Sequence, residues 1–326
     1  YFCQNHLKFT MLSISEQEER KTGKELYSYQ KGAIQKIFKC FETAKDDYHL
    51  LYQLPTGGGK TVIFSEIVSQ YLKTHKKKVL VMTHRIELCK QTSSVLTDFG
   101  VQNKVIDSKA NLEDQSEFQC FVAMVETLNN RLKDDKLDIS DIGLVIIDEA
   151  HYNSFTKLFK FFEKSFILGV TATPLSSNIE LPMTDNYNEL IVGESIESLI
   201  ENEFLAQANT YSYNVGLTSL VVGANGDYTV KSSEDLYTNN EMLSKLMEAY
   251  KERCDGKKTL IFNNGINTSL FVYDLFRSAG YQVAHLDNTA SKKERTQILE
   301  WFKKTPNAIL TSVSILTTGF DEPTVE

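Results

Sequence analysis

The sequence lacks any apolar run long enough to cross a bilayer, and it is low in proline, glycine and cysteine. Its 326 residues include 5 Pro, 16 Gly and 5 Cys. A membrane span needs about 18 consecutive apolar residues, and fibrous or low-complexity chains are rich in Pro and Gly, so both classes are excluded. With 41% apolar and 24% charged residues, the composition is typical of a folded globular protein. Because domains hold roughly 100–200 residues, the length predicts two of them.

Cysteine is too sparse and too scattered to form a disulfide framework. The five thiols belong to Cys3, Cys40, Cys89, Cys120 and Cys254. No C-x-x-C pair or Cys/His cluster has the spacing of a zinc site. The N-terminus also lacks the basic and apolar regions of a signal peptide. We therefore predict reduced thiols in a cytoplasmic protein.

Basic residues are outnumbered by acidic ones. Lys and Arg number 35 against 43 Asp and Glu, which gives a net charge of −8. This balance argues against a protein that coats nucleic acid with a uniformly basic surface. It leaves room for a local basic groove, because association depends on where the charge lies. The basic run Lys73–Lys78 is one candidate, although a solvated loop before a strand is the favoured interpretation.

Short apolar runs alternate with helical patterns along the chain. The runs typical of buried parallel strands are Val79–Met82, Cys120–Ala123, Leu144–Ile147, Phe166–Val170, Thr259–Phe262 and Ala308–Thr311. Apolar residues at helical spacing run from Thr61 to about Lys73, and a capping box at Ser291–Glu294 opens another helix. This alternation predicts an α/β fold with mostly parallel sheets.

The strand–helix pattern weakens between Pro174 and Ala208. We place the domain boundary near residue 182, with an N-terminal arm over 1–22, a first domain over 23–181 and a second over 182–326. A short helix is expected around Ser195–Glu203. Gly223–Asp227 is interpreted as a hairpin turn within a small β insertion.

A glycine-rich turn between a short apolar run and a helix predicts a phosphate site. The residues expected to hold the nucleotide there are Thr56, Gly57, Gly58, Gly59, Lys60 and Thr61. Backbone N–H groups of such a turn surround phosphate oxygens, Lys60 reaches the β- and γ-phosphates, and the Thr61 hydroxyl binds Mg²⁺. Leu54 stands where the strict G-x-x-x-x-G-K-[ST] pattern has its first glycine. Taken alone, this segment leaves open a glycine turn that merely precedes a lysine.

Two acidic residues follow a buried strand directly, at Asp148 and Glu149. Strand ends are where open α/β sheets bind ligands. In nucleotide hydrolysis Asp148 would hold Mg²⁺ and Glu149 would orient and deprotonate the attacking water. His151 either completes this catalytic set or begins a helix, and an acidic surface pair is the alternative for the carboxylates. The glycine loop earlier in the chain favours the catalytic interpretation.

Taken in order, the motifs resemble those of the superfamily 2 helicases and translocases of the DEAH type. They are Tyr29-Gln30, Pro55–Thr61, Met82–Leu88, Met124–Leu128, Asp148–His151, Thr171–Pro174, Thr259–Asn264 and Leu316–Pro323. The T-A-T-P and G-F-D-E-P forms are closer to the DNA-repair and restriction-type group than to RNA-processing members. The resemblance covers residues 26–326.

The resemblance implies two RecA-like domains with ATP between them and single-stranded nucleic acid across both. It implies that Gln30 recognises adenine and that Asp321 faces the nucleotide, although Tyr29-Gln30 could equally be a helix-start pair. The residues that it places at the nucleic acid or in coupling hydrolysis to movement are Arg85, Gln91, Thr127, Thr171, Thr173, Asn263, Thr318 and Gly319. For Arg85 a surface salt bridge is the rival interpretation.

Two departures from the family pattern qualify these expectations. Tyr27 and Ser28 stand where family members often carry Arg and Pro before the Tyr-Gln pair. The sequence also stops at Glu326, just past the G-F-D-E-P motif, so the arginine-rich motif expected next is absent. Loss of such an arginine costs on the order of 10³–10⁵ in rate. We therefore expect a truncated helicase core with an incomplete second domain, a core that binds nucleotide but is severely impaired in hydrolysis.

The predicted function is an ATP- and Mg²⁺-dependent helicase or translocase, with DNA favoured over RNA. One alternative is a nucleotide-gated clamp or scaffold that holds nucleic acid without productive turnover. Another is a P-loop enzyme of a different kind, such as a kinase, which the second α/β series disfavours. Nucleic-acid-stimulated ATP hydrolysis separates the helicase from both alternatives.

Overall fold

The computed structural model describes residues 25–44, 48–107, 117–133, 139–176, 178, 180–223, 226–313, 315–316, 322 and 324–325. The predicted arm over 1–22 lies outside this range, as do Thr318, Gly319 and Asp321. The chain divides into two compact units, one up to Ala208 and one from Asn209. Among the described residues, no helix is both long enough and apolar enough to cross a membrane.

The first unit is built on a seven-stranded sheet whose strand pairs are all parallel. Its strands are β1 His49–Gln53, β2 Lys78–Thr83, β3 Asn103–Ile106, β4 Cys120–Met124, β5 Ile142–Asp148, β6 Phe166–Thr171 and β7 Glu189–Val192. Their order across the sheet is β3-β4-β2-β5-β6-β1-β7. Strands β2, β5, β6 and β1 are therefore central and adjacent, and their carboxyl ends meet at one edge.

Helices and one 3₁₀ segment cover the two faces of this sheet. They are α1 Ser28–Thr43, α2 Lys60–Thr74, α3 Ile86–Asp98, α4 Val125–Lys133, the 3₁₀ segment Asn153–Phe161 and α5 Ile196–Glu201. Successive strand residues point to opposite faces. Leu144 and Ile146 accordingly belong to the core beneath α1, α2 and α3, whereas Val145 and Ile147 belong to the core beneath α4 and the 3₁₀ segment. Burial on both faces explains why the central strands are uninterrupted apolar runs.

The division between the units falls later than the boundary expected near residue 182. The edge strand β7 pairs with β1, with Leu51 opposite Leu190. Leu199 of α5 is fully buried. Residues 183–208 therefore pack with the first unit, and the change in sequence pattern after Pro174 marks a connection within that unit.

The second unit holds a parallel three-stranded sheet in the order β8-β10-β9. Its described elements are α6 Val230–Tyr237, α7 Asn240–Arg253, β8 Thr259–Phe262, α8 Ile266–Ser278, β9 Val283–Leu286, α9 Lys292–Lys304 and β10 Ile309–Ser312. The capping box at Ser291 forms as expected, with Glu294 accepting a hydrogen bond from the Ser291 N–H. Val222 and Tyr228 form an isolated antiparallel bridge, as the predicted hairpin requires, but Val230, expected in its second strand, begins α6 instead.

Candidate nucleotide site

The loop between β1 and α2 has a backbone that only glycine adopts readily. Gly57 and Gly59 both have φ of +84°. A Cβ on Gly58 would lie 2.8 Å from Leu54 Cγ, and one on Gly59 would lie 2.5 Å from Gln30 Nε2. Helix α2 begins at Lys60 with no side chain capping its first turn. Its N-terminal N–H groups can therefore donate hydrogen bonds to an anion such as a phosphate.

Lys60 joins this loop to the carboxylates at the end of β5. Its side chain is buried, with Nζ 3.5 Å from the Leu54 carbonyl oxygen and 3.8 Å from Glu149 Oε1. Strands β1 and β5 each neighbour β6, so their carboxyl ends lie two strands apart. The structure thus brings Lys60 and Glu149 together, as the sequence predicted.

Asp148 is a buried carboxyl group whose protonation is sensitive to its surroundings. Burial, reinforced by the charge of Glu149, raises the pKa of Asp148 to about 7. Its Oδ1 accepts a hydrogen bond of 3.0 Å from the Glu149 N–H. Glu149 has φ of +53°, a left-handed conformation uncommon outside glycine. The backbone therefore turns sharply between the two acids.

The side chains beside the loop suit a hard cation. Mg²⁺ prefers carboxylate and other oxygen ligands and keeps several waters, so one or two protein ligands suffice. Asp148 and Thr61 supply a carboxylate and a hydroxyl, and a cation beside Asp148 would favour the ionised form that burial disfavours. The chemistry of these two side chains therefore fits their predicted role as Mg²⁺ ligands.

His151 connects the carboxylates to the turn after β6. Its Nδ1 lies 3.0 Å from Thr171 Oγ1 and 3.4 Å from Glu149 Oε2. Thr171 Oγ1 donates to the Thr173 carbonyl and accepts from the Thr173 N–H. Burial lowers the pKa of His151, and the neighbouring Glu149 opposes this shift. The two predicted coupling threonines and the predicted catalytic histidine therefore form one hydrogen-bonded group.

The predicted adenine-recognition pair lies against the phosphate loop. The Tyr29 hydroxyl donates to the Gly58 carbonyl at 2.7 Å. Gln30 is buried, and its Oε1 accepts a hydrogen bond from the Tyr27 N–H at the start of α1. The Gln30 oxygen therefore stabilises the start of the helix, in agreement with the helix-start interpretation of this pair. The Gln30 Nε2 lies against Gly59 and donates to the Tyr29 hydroxyl at 3.4 Å.

The predicted nucleic-acid contacts of the first unit follow neighbouring strands. Arg85 is the N-cap of α3, directly after β2, and Gln91 lies within α3. Thr127 lies in α4, directly after β4. All three are partly exposed.

Asn263, in the second unit, follows β8. Its Nδ2 donates to Ser269 Oγ and Thr311 Oγ1. These bonds give Asn263 a structural role that its motif did not predict.

Two family models match separate parts of the chain. Residues 23–176 match the res subunit of Type III restriction enzymes, and residues 239–326 match the helicase conserved C-terminal domain. The chain is therefore similar to the superfamily 2 helicases of the DNA-repair and restriction type. The crystal structure of the Pyrococcus furiosus Hef helicase domain has the same two-domain RecA-like fold, with a TM-score of 0.54 at 18% identity over 97% of this chain and 90% of that one.

Two relatives cover most of this chain at moderate identity. A 51.5 kDa protein of a Lactococcus phage is 27% identical over 84% of this chain and 56% of its own length. The Saccharomyces cerevisiae protein IRC3, whose name describes an ATP-dependent helicase, is also 27% identical, over 84% of this chain and 42% of its own length. This chain therefore spans about half the length of these relatives.

The structure also places beside these residues one that the motifs did not predict. The ring of Tyr152 lies between the rings of His84 and His151, with centroids 4.3 Å from each. Burial lowers the pKa of His84 to about 4. Tyr152 follows the D-E-A-H motif directly, which is the one sequence signal that could have singled it out.

Proposed function

We propose that this protein is an ATP- and Mg²⁺-dependent helicase or translocase that acts on nucleic acid, with DNA as the preferred substrate. The observation that carries the proposal is the approach of Lys60 to Glu149 beside a glycine loop and a buried aspartate. Phosphoryl transfer needs positioning and charge neutralisation more than covalent chemistry, and this group supplies both.

Each side chain of the group has a distinct task in the proposed hydrolysis. Lys60 and the N-terminus of α2 neutralise the phosphates, and Asp148 and Thr61 would hold Mg²⁺, which supplies further positive charge. Glu149 orients the attacking water and accepts its proton. His151 contacts both Glu149 and Thr171, and it thereby couples proton uptake by Glu149 to the turn at Thr173.

Nucleic acid is proposed to cross the edge formed by the starts of α3 and α4. Arg85, Gln91 and Thr127 lie after β2 and β4, which are neighbours in the sheet. The restriction-type T-A-T-P form favours DNA over RNA. An intracellular site of action belongs to the same proposal, because the reaction consumes ATP.

ATP turnover tests the roles of Lys60 and Glu149. We expect Lys60→Ala to weaken ATP binding, because it removes the charge that faces the phosphates. We expect Glu149→Gln to retain ATP binding and to lower turnover by roughly 10²–10⁴, the usual contribution of a general base. Matched controls are Lys164→Ala and Glu163→Gln, which alter exposed residues. Wild-type turnover in both site variants would contradict the assignment.

A further inference from the structure

The chain after helix α5 forms a tight hook that the motif analysis did not single out. The Phe204 N–H donates to the Leu199 carbonyl and the Glu203 N–H to the Ile200 carbonyl, which is the Schellman pattern. The residue at the turn is Glu203, with φ of +60°, where glycine is usual. A non-glycine residue is strained in this conformation, so the surrounding contacts must hold the hook in place.

The hook brings Phe204 against the rings of Tyr27 and Tyr29, and it brings Leu205 against the phosphate loop. A Cβ on Gly57 would lie only 2.6 Å from Leu205 Cδ2, so this leucine rests directly against the phosphate loop. The Phe204 ring packs on Tyr27, with centroids 4.6 Å apart, and on Tyr29, at 5.0 Å.

Tyr27 is the exposed member of the aromatic group. Its ring contacts Phe204 and lies nearly parallel to that of Tyr29, with centroids 6.0 Å apart, yet the residue is 51% exposed, so part of it is open to a ligand. Tyr29 fixes the group to the loop through its hydrogen bond to the Gly58 carbonyl. A ligand that contacts both the Tyr27 ring and the phosphate loop needs a flat aromatic ring joined to phosphates, and a nucleotide has both parts. Stacking on an aromatic side chain stabilises a bound base.

We propose that Phe204 is a positioning residue for the nucleobase, holding the Tyr27 ring so that its open face stacks on the base. Leu205 braces the phosphate loop from the same hook. This inference rests on the proposed function, because it takes the glycine loop to bind ATP.

Calorimetric titration with ATP, ADP and inorganic tripolyphosphate, each with Mg²⁺, tests the inference. Phe204→Ala should weaken ATP and ADP about tenfold and leave tripolyphosphate within about twofold, since only the nucleotides carry a base. Phe204→Leu keeps an apolar side chain without a ring and should resemble Phe204→Ala. Phe204→Tyr should restore nucleotide affinity. Phe161→Ala, which removes a partly exposed ring elsewhere in the first unit, should change none of the three affinities.

Three results would overturn the inference. If Phe204→Leu weakened the binding of ATP and of tripolyphosphate equally, Phe204 would only support the phosphate loop. Unchanged ATP affinity in Phe204→Ala would remove it from the site. Wild-type ATP affinity in Phe204→Leu would make its bulk, and not its ring, the relevant property. Failure of the proposed function is distinguishable, because then Lys60→Ala would leave the affinity for all three ligands unchanged.

Discussion

At the scale of single residues, the phosphate loop depends on glycines that cannot carry a side chain. Gly59 combines a left-handed backbone with a close approach of Gln30, and Gly57 combines one with a close approach of Leu205. A side chain at either position would meet both a conformational cost and a steric one. The sequence predicted these glycines from their spacing. It could not reveal Leu205 as a neighbour, because that contact joins positions far apart in the chain.

Substitution of Gly59 tests the loop directly. We expect Gly59→Ala to weaken ATP binding at least about tenfold and to lower the free energy of unfolding by about 1–2 kcal/mol, because alanine is strained at the left-handed φ of +84° and its Cβ would displace the Gln30 amide. Calorimetry and thermal unfolding measure the two effects. Gly32→Ala is the matched control, since a Cβ there meets nothing within 4 Å and alanine favours the helix. Unaltered ATP binding in Gly59→Ala would contradict the account of the loop.

At the scale of elements, burial decides which strands the sequence reveals. The central strands β2, β5 and β6 are covered on both faces and are uninterrupted apolar runs. The edge strand β7 is largely exposed, and β9 contains His285 among half-buried residues. Neither has a recognisable run, so neither was predicted. The missed β7 also explains the misplaced boundary.

A polar network at the end of β9 ties together three elements of the second unit. His285 lies 2.9 Å from Ser269 Oγ through Nδ1 and 2.9 Å from Asp287 Oδ2 through Nε2. Ser269 in α8 is in turn hydrogen-bonded to Thr311 in β10. Hydrogen bonds from His285 and Thr289 lower the pKa of Asp287 to about 2. The ionised carboxylate is therefore part of the folded network.

The network predicts a loss of stability in acid. Because the pKa of Asp287 is lower in the folded than in the unfolded chain, its ionised form stabilises the fold above about pH 4, and this contribution disappears as the pH falls towards 2. We expect a contribution of about 1–2 kcal/mol to the unfolding free energy, measured by denaturant titration between pH 5 and 2.5. Asp287→Asn should remove that part of the pH dependence, and the exposed Asp274→Asn should retain it. An identical acid profile in Asp287→Asn and the wild type would contradict the role of the network.

At the scale of the whole molecule, the order of motifs was more informative than composition. The net charge of −8 argued only against a uniformly basic surface. The ordered motifs predicted the superfamily and the α/β architecture of two units, both of which are confirmed. Packing between distant residues, such as that of Tyr152 on His84, could not be predicted, because ring contacts leave no periodic trace in a sequence.

The central claim is that nucleic acid controls ATP hydrolysis at the Lys60–Glu149 site. The most direct measurement is ATP turnover with and without single-stranded DNA, duplex DNA or RNA, for the wild type, Lys60→Ala and Glu149→Gln. The ratio of the rates, and not the absolute rate, is the quantity that matters. The account predicts that DNA raises wild-type turnover severalfold, that RNA raises it less, and that both substitutions abolish the stimulation. Turnover that nucleic acid leaves unchanged, and that neither substitution lowers, would contradict it.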